Sequence, residues 1–361
     1  MKRRTAHLIF GLVIVASLAL QLFLSLTTST VPYDAFFLFR EVEAIQQTQL
    51  PFLQDELSYG GRSHVVSLIF PYFATLVALA FGTSSLLVVL QPIFFVLLLF
   101  LLYLAAYKLY ERRWIAVLLT VFMATSTLLV ATYSQAPSAS HLFLVFYLGV
   151  IYAFSKLPDK KASGSIAIFA ILATLTSPYV LVLAGGMLVY LLLLYLEGMQ
   201  QRTRELETIG FSFVFIIWYH LLAYRSLLET YGAQALWESI PREFLITTFQ
   251  SLNLPLFVQL IGIVPLLLGM YGMYEVLFVK RKRSILFVAA LTLVSAIFLF
   301  SGLLPLAQGL ALTALHFIIL AGYGLERIIH FLNKTTISRA RTVLFAGLTL
   351  LSIALFIPFM F

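Results

Sequence analysis

The chain has 361 residues, of which 61% are hydrophobic and only 11% are charged, and its mean hydropathy is +1.01. Soluble domains have about 45–50% apolar and about 25% charged residues, so this chain has too little polar surface to cover a water-facing globule. A soluble enzyme, a disordered protein and a disulfide-stapled secreted module are therefore excluded. The absence of cysteine also excludes a thiolate zinc site and a cysteine nucleophile. The class that remains is an all-α, polytopic membrane protein.

The first apolar segment runs over residues 7–28 and follows Lys2, Arg3 and Arg4. It is long enough to span a membrane, which needs about 20 apolar residues. No small-residue cleavage site follows it and further spans do, so we interpret it as an uncleaved first span rather than a signal peptide. The basic start predicts a cytoplasmic N-terminus.

A first outer loop is predicted over residues 29–84, with interfacial helices in it. Within it, residues 64–81 are apolar but form a short stretch that Pro71 interrupts. Counted as a full span, this stretch would place Lys108, Arg112 and Arg113 outside. Treated as a re-entrant or interfacial helix, it places them in the cytoplasm, as the positive-inside rule requires. We therefore predict the second arrangement.

The remaining apolar segments complete a prediction of about eleven transmembrane helices, with the C-terminus outside. After the first span they cover residues 85–107, 114–133, 141–155, 165–176, 179–196, 209–224, 255–279, 285–300, 304–324 and 343–361. Residues 1–361 then form a single integral membrane domain, and residues 225–254 form a second outer loop.

The basic residues support this topology. All lysines and arginines lie on the cytoplasmic side except Arg40, Arg62, Arg225 and Arg242. The net charge of +8 is therefore explained by membrane orientation and contact with anionic lipid, and nucleic acid is not expected as a partner.

The first outer loop is the most informative stretch. Pro32 suits the first turn of a helix, Asp34 suits a helix start, and Pro51 is expected to end the helix. On such a helix Asp34, Leu38, Glu41 and Ile45 share one face, since seven residues make nearly two turns. Two carboxylates can then point the same way at the membrane surface. The alternative is a solvated amphipathic helix with Asp34 as its cap.

The order of these features resembles the GT-C superfamily of polyprenyl-phosphate-dependent membrane glycosyltransferases. A basic start and one span are followed by Tyr33-Asp34, an aromatic run, Arg40 and the loop of residues 54–62, which reads QDELSYGGR. Over residues 1–65 the chain is most similar to the N-terminal part of the oligosaccharyltransferase catalytic subunit. The resemblance implies that Asp34 binds the catalytic metal or acts as the base.

Other outer loops depart from that pattern. The loop between Tyr133 and His141 and the loop between Gly302 and Gly309 contain no carboxylate, and the Trp-Trp-Asp acceptor motif is absent. These departures favour a smaller GT-C enzyme over one that glycosylates protein, and they leave open a non-catalytic GT-C-like subunit or scaffold. A transporter is less favoured, because the spans are nearly free of charge.

The expected activity is transfer of a sugar from a polyprenyl-phosphate-linked donor to an unidentified acceptor on the extracytoplasmic face of the cell membrane. Asp34 would be the base or a metal ligand, with Mg²⁺ or Mn²⁺ held by Asp34 and Asp55 or Glu56 as the alternative to an arginine that offsets the phosphate charge. The predicted substrate-binding residues are Arg40, Glu41, Asp55, Glu56, Arg62, His141, Arg225 and Arg242.

Competing interpretations remain for several of these residues. Arg225 and Arg242 belong to a loop that can simply anchor the protein at the membrane interface through Trp237. His141 can cap a span instead of binding phosphate. His220 and His316 lie within predicted spans, where hydrogen bonding inside the bundle is the usual role of such residues.

Overall fold

The structure is a computed structural model that describes residues 3–27, 33–51, 54–55, 62–63, 67–134, 137–157, 159–200, 202–225, 229, 254–279, 282–332 and 340–356. This part of the chain is almost entirely helical. The helices are α1 (Arg3–Thr27), α2 (Tyr33–Thr48), α3 (Ile69–Phe81), α4 (Leu86–Tyr110), α5 (Arg113–Ala124), α6 (Thr127–Tyr133), α7 (Ala139–Phe154), α8 (Lys160–Thr176), α9 (Leu181–Leu196), α10 (Thr203–Ala223), α11 (Leu254–Ile261), α12 (Ile263–Tyr274), α13 (Arg283–Phe300), α14 (Leu306–Leu332) and α15 (Ala340–Phe356).

Short elements complete these helices. One turn of 3₁₀-helix precedes α4 (Thr83–Ser85) and another precedes α9 (Pro178–Val180), and a π-helical turn (Glu275–Val279) continues α12. Strands β1 (Gln54–Asp55) and β2 (Arg62–Ser63) form an antiparallel ladder.

Six of the described helical segments are long and apolar enough to cross a membrane. They are Arg4–Thr27, Thr83–Tyr110, Pro178–Leu196, Thr203–Ala223, Arg283–Phe300 and Leu306–Leu332, and the bent pair of α5 and α6 makes a seventh if it is one span. The class predicted from composition, a helical multi-pass membrane protein, is therefore confirmed. The other predicted spans coincide with shorter or broken apolar helices.

Two predicted spans are not continuous. The span over residues 114–133 is bent by 62° between α5 and α6, where Ser126 has an extended backbone. The span over residues 255–279 is broken between α11 and α12 at Gly262, whose φ of 94° is in the left-handed region. Hydropathy reports only how apolar a segment is, so it does not detect either break.

The segment predicted as the first outer loop contains two helices, with bounds that differ from the predicted ones. Helix α2 ends at Thr48 because Gln49 takes a left-handed conformation with φ of 60°, so Pro51 does not end it. The predicted interruption at Pro71 is also wrong. Helix α3 begins at Ile69, and Pro71 falls in the first turn, where a missing N–H breaks no helical bond.

Hydrogen bonds hold α3 in place. The Tyr72 hydroxyl donates to the Gln49 carbonyl at 3.1 Å and so ties α3 to the end of α2. The Leu68 N–H donates to the Leu175 carbonyl at 2.9 Å and so ties the start of α3 to the end of α8. Helix α3 is thereby tied to both α2 and α8.

Helices α12 and α14 approach each other through glycines. A Cβ atom added at Gly272 would lie 2.1 Å from the backbone oxygen of Leu320, and one added at Gly324 would lie 2.5 Å from the backbone oxygen of Leu268. Small residues of this kind allow membrane helices to pack backbone against backbone.

Ion pairs and hydrogen bonds connect several helix ends at one end of the bundle, which we call the basic end. Arg112, just before α5, lies 3.6 Å from Glu326 of α14, and the Lys282 amine, just before α13, donates to the backbone oxygen of Leu109 in α4. Arg283 of α13 pairs with Glu205 of α10 at 3.1 Å, and Arg327 of α14 pairs with Glu275 at 2.9 Å. The ends of α4 and α14 and the starts of α5, α10 and α13 therefore lie together.

Candidate functional site

A cavity of about 410 Å³ lies at the end of the bundle opposite the basic end. Helices α10 and α14 run between the two, since each has residues of both ends at its opposite termini. We call this the polar cavity. Its lining comes from α2 and the start of α3 (Phe37, Leu38, Glu41, Ser67, Phe70), from the ends of α6, α8 and α10 (Thr132, Thr174, Leu175, Thr176, Tyr219, His220, Tyr224), and from the segments that start α7, α9 and α14 (Pro137, Ser138, Ala139, Ser140, His141, Ser177, Pro178, Tyr179, Ala307, Gln308).

Helix α2 contributes the face that its sequence predicts. Leu38, Glu41 and Ile45 are all buried, whereas Glu43 is exposed. Leu38 and Glu41 also line the polar cavity. Asp34, the predicted catalytic residue, lies in the first turn of the same helix, and its side chain is outside the described part of the chain.

Glu41 is the carboxylate that the described residues place in the polar cavity. Its side chain is buried, and this burial raises the pKa of the carboxyl from its ordinary 4.5 to about 7. Burial has this effect because the charged carboxylate loses its solvation. A carboxyl with this pKa exchanges a proton near neutral pH, which is the range that general acid–base catalysis needs.

His141 lines the cavity, but both its ring nitrogens are bonded within the protein. The Ser138 N–H donates to Nδ1 at 2.9 Å, and Nε2 lies 2.8 Å from the Thr132 carbonyl oxygen. A carbonyl oxygen can only accept, so Nε2 carries the proton and the imidazole is neutral. This geometry favours the interpretation of His141 as a cap for the start of α7.

His220 is a cavity residue that sequence reasoning did not select. Its Nδ1 donates to the Ile216 carbonyl at 2.8 Å, which agrees with the expected bond inside the bundle. The ring also stacks on Tyr224 and lines the cavity. The sequence feature that could have identified it is its position, one turn before the outer end of the predicted span over residues 209–224.

Of the predicted arginines, Arg40 and Arg225 have described side chains, and neither lines the polar cavity. Arg225 is exposed, and its Nε lies 2.7 Å from Oε1 of Glu229, four residues later. Arg40 lies on α2 and is half-buried. Neither lysine nor arginine occurs among the residues known to line the cavity.

The remaining predicted site residues lie wholly or partly outside the described part of the chain. Asp55 and Arg62 face each other across the β1–β2 ladder, but their side chains lie outside the described part of the chain. Glu56 and Arg242 lie outside it altogether. In the portion that is described, no three histidine, aspartate or glutamate side chains are grouped to hold a metal ion.

A second cavity, of about 520 Å³, lies beside the two helix breaks. We call it the apolar cavity. It is lined by Phe122, Thr125 and Thr127 near the α5–α6 bend, by Val258, Gln259, Ile261, Gly262, Ile263, Val264 and Pro265 around the α11–α12 break, and by Ser352, Leu355 and Phe356 of α15. Helix α6 borders both cavities, because Thr127 lines the apolar one and Thr132 the polar one.

These features define a helical multi-pass membrane protein with a polar cavity at one end of its bundle and an apolar cavity nearby. Comparison with protein families gives no match for this chain, and comparison with curated proteins gives none either.

Proposed function

We propose that this chain is a membrane glycosyltransferase of the GT-C type, which moves a sugar from a polyprenyl-phosphate-linked donor to an acceptor on the extracytoplasmic face. The observation that carries the proposal is the position of α2. This helix begins at Tyr33-Asp34, where the resemblance to GT-C enzymes is specific, and it places buried Glu41 in the polar cavity. Asp34 is three residues before Phe37 and four before Leu38, both of which line that cavity.

The proposal includes the eleven-span topology, with the N-terminus in the cytoplasm and the C-terminus outside. Every helix end that lines the polar cavity is an outer end in this topology, and every basic residue of the basic end is cytoplasmic. The helix ends that line the polar cavity and the helix ends of the basic end lie on opposite sides of the bundle, which supports this topology. In this topology the shorter apolar helices and the bent pair of α5 and α6 also cross the membrane, and neighbouring helices cover their ends.

The donor would use both cavities. Its sugar and phosphate would occupy the polar cavity, and its prenyl chain would occupy the apolar cavity. Thr127 and Thr132 are five residues apart on α6, which corresponds to about 7.5 Å along the helix axis. A single lipid-linked phosphate can bridge such a distance.

Asp34 would act as the base or as a metal ligand. In the first role its carboxylate takes the proton of the attacking acceptor. In the second role Asp34 and Asp55 would hold Mg²⁺ or Mn²⁺, hard cations that bind carboxylate oxygens, and the metal would offset the charge of the leaving phosphate. Arg62, Arg225 or Arg242 would provide this charge if no metal is bound.

The test is Asp34→Asn in the purified full-length chain, assayed for sugar release from labelled polyprenyl-phosphate hexoses. We expect Asp34→Asn to lose nearly all turnover. Glu43→Gln is the matched control, because Glu43 lies on the same helix but is exposed and contacts Gln47. Wild-type turnover in Asp34→Asn would contradict the proposal.

A second candidate is a non-catalytic GT-C-like membrane subunit. It is favoured by the lining of the polar cavity, whose described residues include one carboxylate and no lysine or arginine. Calorimetric titration with Mg²⁺ or Mn²⁺ and a binding assay with polyprenyl phosphate separate the two candidates. A scaffold is expected to bind neither the metal nor the lipid phosphate.

A further inference from the structure

Three histidines are buried in the described part of the chain, and their ring nitrogens are used differently. His141 has both nitrogens bonded, as described above. His316 also has both engaged, because Nε2 lies 2.7 Å from the Tyr147 hydroxyl and Nδ1 lies 3.4 Å from the Ser295 hydroxyl. These two histidines have no nitrogen left for a ligand.

His220 differs from them at Nε2. Its Nδ1 is fixed as a donor by the Ile216 carbonyl, so in the neutral ring the lone pair is on Nε2. Nε2 has no hydrogen-bond partner among the described residues, although only 8% of the residue is exposed. This residue also lines the polar cavity. The arrangement suits a ligand that offers a hydroxyl group to Nε2.

We infer that His220 is the catalytic residue that accepts the proton of the acceptor hydroxyl. This inference rests on the proposed function and assigns its base. The O–H bond of the acceptor breaks and its proton moves to Nε2, while the acceptor oxygen bonds to the anomeric carbon. The bond between that carbon and the phosphate oxygen breaks, and its electron pair leaves with the polyprenyl phosphate. Asp34 then has the other of its two roles, that of a metal ligand.

The bond to Ile216 prepares His220 for this step. A histidine base works when its second nitrogen is held by an acceptor, because the acceptor fixes the tautomer and stabilises the imidazolium that forms. The Ile216 carbonyl provides this, and stacking on Tyr224 fixes the ring plane.

Other titratable groups face the same cavity and contribute to its pH behaviour. They are Glu41 of α2, His141 of α7, Tyr179 at the start of α9, and Tyr219 and Tyr224 of α10. An ionised Glu41 would favour the imidazolium form of His220 because their charges are opposite. The pH profile must therefore be measured in Glu41→Gln as well as in the wild type.

The experiment uses two substitutions in the full-length chain, with release of hexose from a polyprenyl-phosphate hexose to water as the assay. His220→Asn keeps an N–H donor for the Ile216 carbonyl and removes the basic nitrogen. His220→Ala opens space for free imidazole. We expect both to lower kcat roughly 10²–10⁴-fold, the usual contribution of a general base, with little change in KM. Exposed His330 provides the control variant His330→Ala.

Imidazole distinguishes a base from a merely structural residue. We expect added imidazole to restore part of the kcat of His220→Ala but not that of His220→Asn, whose side chain fills the space. The restored rate should fall at acidic pH as imidazole itself is protonated. Thermal unfolding of both variants shows whether the fold is kept.

The results also separate this inference from the proposed function. If the wild type and both folded His220 variants release hexose equally, the inference is wrong and the proposed function stands. If His220→Ala is slow but imidazole does not restore it, His220 is not the base. If the wild type releases hexose from no donor and transfers it to no acceptor, the proposed function fails and the inference fails with it.

Discussion

The Nη1 atom of Arg283 lies 3.1 Å from Oε2 of Glu205, and this ion pair joins the first turns of α13 and α10. The Glu205 carboxylate is buried and also accepts a hydrogen bond from the Tyr190 hydroxyl. We expect Glu205→Ala to lower the free energy of unfolding by about 2–4 kcal/mol, because it leaves a partly buried guanidinium without its partner. Thermal unfolding in detergent micelles measures this.

Exposed Glu207, on the same helix, provides the control Glu207→Ala, which should change stability little. The double variant Glu205→Ala/Arg283→Ala should be less destabilised than the sum of the two single variants, because it leaves no unpaired charge. If the destabilisations of the two single variants simply add up in the double variant, the ion pair makes no coupling contribution to stability.

Glu41 should make stability depend on pH. Burial raises the pKa of its carboxyl from 4.5 to about 7, so between these values the folded chain keeps a proton that the unfolded chain has released. The contribution of Glu41 to the free energy of unfolding should therefore fall as pH rises from about 4.5 to about 7, and it should be constant above that range. The stability of Glu41→Gln relative to the wild type should therefore rise between pH 4.5 and pH 8, by up to about 3 kcal/mol.

Unfolding midpoints measured from pH 4 to pH 9 test this prediction. Glu43→Gln, on the exposed face of α2, should keep the slope of the wild type. A difference in stability between Glu41→Gln and the wild type that stays constant from pH 4 to pH 9 would contradict the prediction.

Gly272 should not tolerate a side chain. A Cβ atom there would lie 2.1 Å from the Leu320 backbone oxygen, and backbone cannot move aside as a flexible side chain can. We expect Gly272→Ala to separate α12 from α14 and to cost about 1–3 kcal/mol, the usual range for overpacking. The unfolding midpoint reports the loss. Gly11→Ala, whose Cβ would meet no atom within 4 Å, should leave it nearly unchanged.

The Tyr147 hydroxyl should stabilise the interior of the bundle. It lies 2.7 Å from Nε2 of fully buried His316. Tyr147→Phe should lower the free energy of unfolding by about 1–3 kcal/mol, because it leaves a buried ring nitrogen without its partner. Tyr195→Phe, at an exposed position, is the control in the same unfolding assay. Equal midpoints for the two variants would contradict the prediction.

Features that depend on local periodicity and length were predictable. The class of protein and the positions of its apolar helices follow from runs of apolar residues. The common face of Leu38, Glu41 and Ile45 on α2 follows from the helical repeat, and the structure shows that it is buried. The bounds of α2 and α3 were less predictable, because Gln49 ends α2 in the left-handed region, which a residue other than glycine seldom adopts.

The sequence by itself therefore determined that this chain is a bundle of membrane helices and which residues of α2 share one face, because apolar length and periodicity are properties of neighbouring residues. Only the tertiary structure decided that Glu41, His141 and His220, more than 170 residues apart at the extremes, line one cavity. It also decided that His141 is fully bonded whereas Nε2 of His220 is not. These properties depend on how helix ends pack against each other, which no local pattern encodes.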